Sequence, residues 1–143
     1  MTAPETDTDT GTDTGTERFE EIYLTLFGAV PDSVRDRWAF SAEHGRSTAP
    51  ALLEQLREEV ITRSPLGLKV QQLVQFAQLA ALGKADSARR HALAAVRAGA
   101  GERDLLAVAE TTLITSGVPG YSLALALARE APAAADDIPE RSS

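Results

Sequence analysis

The chain has 143 residues, no cysteine, and 21 acidic side chains against 14 Lys and Arg, for a formal charge of −7. That balance argues against a nucleic-acid partner, which needs a basic patch, and the missing cysteines exclude a disulfide framework, a thiolate nucleophile and Cys-based metal sites. No apolar run approaches the roughly 18 residues of a membrane span, and the first residues lack the basic and apolar regions of a secretory signal. The expected setting is cytoplasmic, with no membrane partner.

Residues 1–16 form a Thr/Asp/Gly stretch with nothing apolar to bury, read as a disordered acidic tail. Residues 17–131 read as one domain, and 132–143 as a second disordered tail carrying Pro132, Asp136, Asp137 and Pro139. Ala, Leu, Glu and Arg dominate the middle of the chain, which favours helices over sheet. The expected fold class is all-α, a bundle of about six to seven helices.

The first helix runs from Glu17 to Phe27 and ends at Gly28. Pro31 and Asp32 open the second, with Val34, Trp38 and Phe40 turned inward and a stop near Gly45. Thr48 is the expected N-cap of the third, Pro50 lies in its first turn, and Leu52, Leu53, Leu56, Val60 and Ile61 give it an apolar face at helical spacing. Pro65 breaks the chain. The fourth helix, Leu68 to Leu82, is apolar nearly all round and is read as central and buried. The fifth spans Lys84 to Ala98. The sixth spans Glu102 to Ser116, with Leu105, Leu106, Val108, Ala109, Leu113 and Ile114 as its core side. The seventh begins at Pro119.

Two groups of polar residues interrupt this apolar pattern. On the fifth helix Lys84, Ser87 and His91 project within about 60° of one another, flanked by Ala88, Ala92 and Ala95. A basic nitrogen, a hydroxyl and an imidazole on a small-residue seam are suited to acid/base chemistry in a buried site. The plainer readings are a histidine hydrogen-bonded in a helix interface, a solvated lysine, and a serine bonded to its own backbone. The fourth helix holds Gln71, Gln72, Gln75 and Gln78, four of the five glutamines. Buried amides need hydrogen-bond partners, in a ligand, a second subunit or nearby backbone. His44, near a helix end, fits a dipole partner at a C-terminus or a site contact. No nucleophile elbow, phosphate loop, dinucleotide fingerprint or His–carboxylate metal spacing is present.

The order of features resembles the carboxymuconolactone decarboxylase and alkylhydroperoxidase D superfamily. The resemblance is carried by Pro65-Leu-Gly-Leu-Lys-Val-Gln-Gln-Leu-Val, by Leu-Ala-Ala-Leu-Gly, by the run from His91 to Leu106, and by Gly117-Val-Pro-Gly. It implies an alkylhydroperoxidase D-like helical bundle assembling as a homotrimer or homohexamer. The peroxidase branch uses two cysteines, a histidine and a glutamate at positions that here hold Lys84, Ser87, His91 and Gln72. With both cysteines replaced, thiol-based peroxide reduction is chemically impossible. The decarboxylase branch works without metal or organic cofactor on a small lactone acid.

The resemblance therefore implies a cofactor-independent lyase or isomerase acting on a small acidic or carbonyl-containing molecule by decarboxylation, cyclisation or dehydration. His91 would be the acid/base, Lys84 the electrophilic or anion-binding group, and Ser87 an orienting hydrogen bonder. Gln72, Gln75, His44 and Trp38 would contact the substrate. The alternative is a non-catalytic helical oligomer that binds a ligand or a protein partner. Convergence of Lys84, Ser87 and His91 on a closed site with Gln72 favours the enzyme. A solvated Lys84 with a tightly packed His91 favours the alternative.

Overall fold

The computed structural model describes residues 13–140. Within them lie seven α-helices and no strand: α1 (Asp13–Phe27), α2 (Asp32–Glu43), α3 (Thr48–Arg57), α4 (Leu68–Ala81), α5 (Ala85–Arg97), α6 (Glu102–Ser116) and α7 (Val118–Asp136). A π-helical turn, Glu58–Thr62, continues α3. Its wider winding is marked by the Arg63 N–H bonding the Glu58 carbonyl at 3.1 Å.

The centre of the bundle is built from small residues. Ala80, Ala88, Ala92, Ala95, Ala109 and Ala124 are fully buried around Phe76, Leu105 and Leu127. Short side chains let helices approach closely, and α4 packs against α5, α6 and α7 while α6 packs against α7. A second cluster of Tyr23, Leu26, Phe27, Val30 and Val34, with Trp38 beside them, closes on Ala94 and seats α1 and α2 on α5. Caps fix the helix starts: the Asp104 carboxylate accepts the Gly101 N–H at 2.9 Å and anchors the first turn of α6.

Several helix faces differ from the sequence reading. The expected apolar face of α3 is outward: Leu52, Leu53, Leu56 and Val60 are 40–61% exposed. The buried side of α3 instead carries Pro50 and Glu54, and only Ile61 of the expected set is inside. Phe40 lies at the surface, and so do Leu106 and Ile114 of α6, whose buried face is Leu105, Ala109 and Thr112. Hydrophobicity identified amphipathic helices here but not which stripe faces inward, because α3 buries a carboxylate through ion pairs.

The ends of the domain also shift. α1 begins at Asp13, four residues earlier than Glu17, because adding residues to a helix already anchored by Phe19 and Tyr23 costs little. Residues 1–12 and 141–143 of the two expected tails lie outside the described residues. At the other end α7 continues through Pro132 to Asp136. Ala131 is buried, and Ile138 folds back onto Gly28 so closely that a Cβ there would lie 2.7 Å from its Cγ2. Gly28 also has φ 76°, so the α1–α2 turn needs glycine for conformation and for space.

Candidate active site

His91 sits on the buried face of α5 between Ala88 and Ala92 and is 7% exposed. Its Nδ1 lies 2.7 Å from Oε1 of Gln72, which is fully buried on α4. An amide oxygen can only accept, so Nδ1 carries the proton and donates it, leaving Nε2 with a free lone pair. The Phe27 ring meets the imidazole edge-on, with centroids 5.4 Å apart. Burial, and after it the charges of Arg57 and Arg90, push the His91 pKa down to about 4. The resting imidazole is therefore neutral at neutral pH.

A second cluster adjoins it. Glu54 of α3 is 2% exposed, and both its carboxylate oxygens accept from the Tyr23 hydroxyl at 2.9 Å. Arg37 Nη1 lies 3.4 Å from one oxygen and Arg57 Nε 3.5 Å from the other. The Arg57 guanidinium also rests over the Tyr23 ring at 5.7 Å, and Tyr23 packs against Phe27 and Trp38. Burial lifts the Tyr23 pKa to about 12 against the opposing pull of Arg57, so the phenol stays a neutral donor. Two guanidinium charges against one carboxylate leave this cluster with an excess positive charge.

The two clusters share a deficit. The buried nitrogens Gln72 Nε2, Gln75 Nε2 and Arg57 Nε have no hydrogen-bond partner; Arg57 Nε is ion-paired with Glu54 but misaligned for a hydrogen bond. All three are donors. Each buried donor left unpaired costs about 1–3 kcal/mol, a large fraction of a domain's stability margin.

The candidate residues fall into distinct environments. Gln72 and His91 meet directly, and Gln75 stands one turn further along α4 with its amide nitrogen buried. Ser87 is half-buried one turn before His91. Lys84 is exposed at the N-cap of α5, with a non-helical ψ of 72°, so the helical projection that grouped it with Ser87 and His91 does not apply to it. Trp38 is half-buried against Tyr23. His44 is exposed at the C-cap of α2, its ring bonded to the Phe40 carbonyl at 2.9 Å. Gln71 accepts from the Ser64 hydroxyl, and Gln78 is exposed. A surface cavity lined by Phe27, Val30, Pro31, Arg90 and Leu93 reaches the Phe27 ring, but His91 is not part of its lining.

Tyr23, Glu54, Arg37 and Arg57 were absent from the sequence reading. The available signal was the spacing of Pro50, Glu54, Arg57 and Ile61, a coherent helical stripe hidden by the stronger apolar stripe of Leu52, Leu53, Leu56 and Val60.

Fold and site together define an all-α bundle with a neutral histidine held by a glutamine between two central helices. The model of the carboxymuconolactone decarboxylase family matches residues 48–130. The chain belongs to that family. A crystal structure of a candidate carboxymuconolactone decarboxylase from Burkholderia xenovorans LB400 superposes with a TM-score of 0.64 at 18% identity, covering 82% of this chain and 90% of that one. At that identity the likeness concerns the fold. No curated protein matches the chain.

Proposed function

We propose that the protein is a cofactor-independent lyase or isomerase that removes a proton from, or rearranges, a small acidic or carbonyl-containing molecule. The observation carrying this reading is the 2.7 Å contact between His91 Nδ1 and Gln72 Oε1 in a buried setting that keeps the imidazole neutral. Gln72 fixes the tautomer, so Nε2 is the basic atom. In the first step Nε2 takes a proton from carbon, and the C–H electron pair moves onto the adjacent carbonyl as an enolate. The imidazolium formed then returns that proton to another carbon, completing an isomerisation, or to a leaving oxygen, completing an elimination. Ser87, half-buried one turn before His91, would orient the substrate. Decarboxylation uses the same groups in another order: the C–CO2 bond breaks, its electron pair forms the enolate, and the enolate carbon takes a proton that His91 relays from solvent, leaving the imidazole neutral again.

The exposure of Lys84 and the packing of His91 against Gln72 and Phe27 both support a second reading, a non-catalytic helical oligomer that binds a ligand or a protein partner. Assembly into homotrimers or homohexamers belongs to either reading and is supported by the outward apolar faces at Leu52, Leu56, Leu82 and Ile114. One experiment separates the two. A panel of small lactone acids and oxo acids is followed by NMR for loss of carbon dioxide or for proton shifts. The enzyme reading expects turnover by the wild-type protein and none by a folded His91→Ala variant. Absence of turnover across the panel, or undiminished turnover by the variant, contradicts it.

A further inference from the structure

We propose that the Phe27 ring is a gate between His91 and the surface cavity at the α1–α2 turn, so that a small molecule in that cavity reaches the imidazole when the ring swings aside. The inference rests on the reading of His91 as a base and deepens it, naming the route to that base and the side chain that controls it.

A base sealed in a core needs a path from solvent. His91 is 7% exposed, and Gln72 occupies its Nδ1, so Nε2 is the atom a ligand must reach. Ala88 and Ala92 flank the imidazole on its own helix, and Gln72 approaches from α4. Phe27 meets it from α1, edge-on, with centroids 5.4 Å apart. The same Phe27 lines a surface cavity of about 410 Å³ whose lining does not include His91. One phenyl ring thus touches both the open space and the buried base. The volume falls within the roughly 300–1,000 Å³ of small-molecule sites.

The ring is free to move where its neighbours are not. Phe27 is the last residue of α1 and precedes Gly28, whose φ of 76° turns the chain away. An aromatic side chain on a helix has two favoured χ1 settings, near 180° and −60°. Passing from one to the other carries the ring sideways and leaves the backbone in place. No polar group pins it: its ring partners are Tyr23, at 6.0 Å, and His91. Tyr23 is held differently, by the bonds of its hydroxyl to Glu54 at 2.9 Å. An edge-on contact is weak beside the burial of Tyr23 and Leu26 that anchors α1. Val30, Pro31 and Leu93 give the cavity apolar walls against which the displaced ring can rest, and Arg90 and Asp32 give it a polar side for a solute.

The test is labelling of the full chain with diethyl pyrocarbonate, a small electrophile that acylates the unprotonated nitrogen of a neutral imidazole. Peptide mass mapping separates His91 from exposed His44, the only other histidine and the internal reference. Ala29 is exposed and lines the cavity, so Ala29→Trp fills the space without entering the core. It should slow His91 labelling at least about fivefold relative to His44, both alone and combined with Phe27→Leu. Phe27→Leu removes the edge-on contact that holds the gate shut and should speed labelling about fivefold. Urea unfolding of each variant runs alongside, because labelling through unfolding follows stability and ignores the filled cavity. His91 labelling unchanged by Ala29→Trp, labelling of Phe27→Leu no faster than wild type, or rates that track stability alone overturns the proposal. Turnover of a carbon acid with labelling indifferent to both variants refutes the gate and leaves the base role of His91 standing; labelling that obeys both variants without turnover does the reverse.

Discussion

Acid should destabilise this protein through His91, and the size of the effect follows from its surroundings. The imidazole is buried against Phe27 and Gln72 and faces Arg57 and Arg90, with the neutral Tyr23 phenol and the paired Glu54 carboxylate beyond them. Burial and the two positive charges depress its pKa from 6.5 to about 4. The unfolded chain therefore binds a proton as pH falls through about 6.5, while the folded chain resists until about 4. Stability from this group is complete above 6.5 and is lost as pH falls between those values. At about 1.4 kcal/mol per unit, the full loss is roughly 3 kcal/mol. Urea unfolding between neutral pH and pH about 4 measures it, with His91→Gln as the non-titrating control. The wild-type protein should lose roughly 2–3 kcal/mol more than the variant over that range. A direct NMR titration is simple because His44 supplies the only other imidazole resonance. An ordinary His91 pKa near 6.5, or equal acid losses in both proteins, refutes the reasoning.

Other perturbations probe separate parts of the structure. Gly28→Ala places a side chain at φ 76° and against Ile138, and should cost about 1–3 kcal/mol in urea unfolding. Combined with Ile138→Ala, the loss should be less than additive; full additivity would show that the C-terminal segment does not press on that turn. Glu54→Gln leaves Arg37 and Arg57 without their buried counter-charge. Because those side chains are 36% and 28% exposed, the expected cost is about 2 kcal/mol, below the 3–5 kcal/mol of a sealed pair. A change under half a kcal/mol would remove the cluster from the account. Light scattering should return a mass that is a multiple of three subunits; a monomer would contradict the proposed assembly.

The all-α bundle was legible because proline, glycine and helical periodicity punctuate the chain so regularly, and seven helices appear close to their expected places. The pairing of Gln72 with His91 was legible only through the family resemblance, since the two stand on different helices 19 residues apart. The inward face of α3 was not. A buried carboxylate is stabilised by groups that arrive from α1 and α2, and no local pattern on α3 announces Tyr23 or Arg37. Lys84 misled for a related reason: the projection began the helix at Lys84, and α5 starts one residue later, at Ala85. Pro132 suggested an ending that the packing of Ala131 and Ile138 carries past.

The central claim is that neutral His91, oriented by Gln72, removes a proton from carbon. Its most direct measurement is solvent-deuterium incorporation, by NMR in heavy water, at the carbon next to the carbonyl in a panel of small lactone acids and oxo acids. The account predicts incorporation above the spontaneous rate with the wild-type protein, and loss of that excess in a folded His91→Ala variant. Wild-type incorporation no faster than the spontaneous rate, or an excess that survives in the variant, would contradict it.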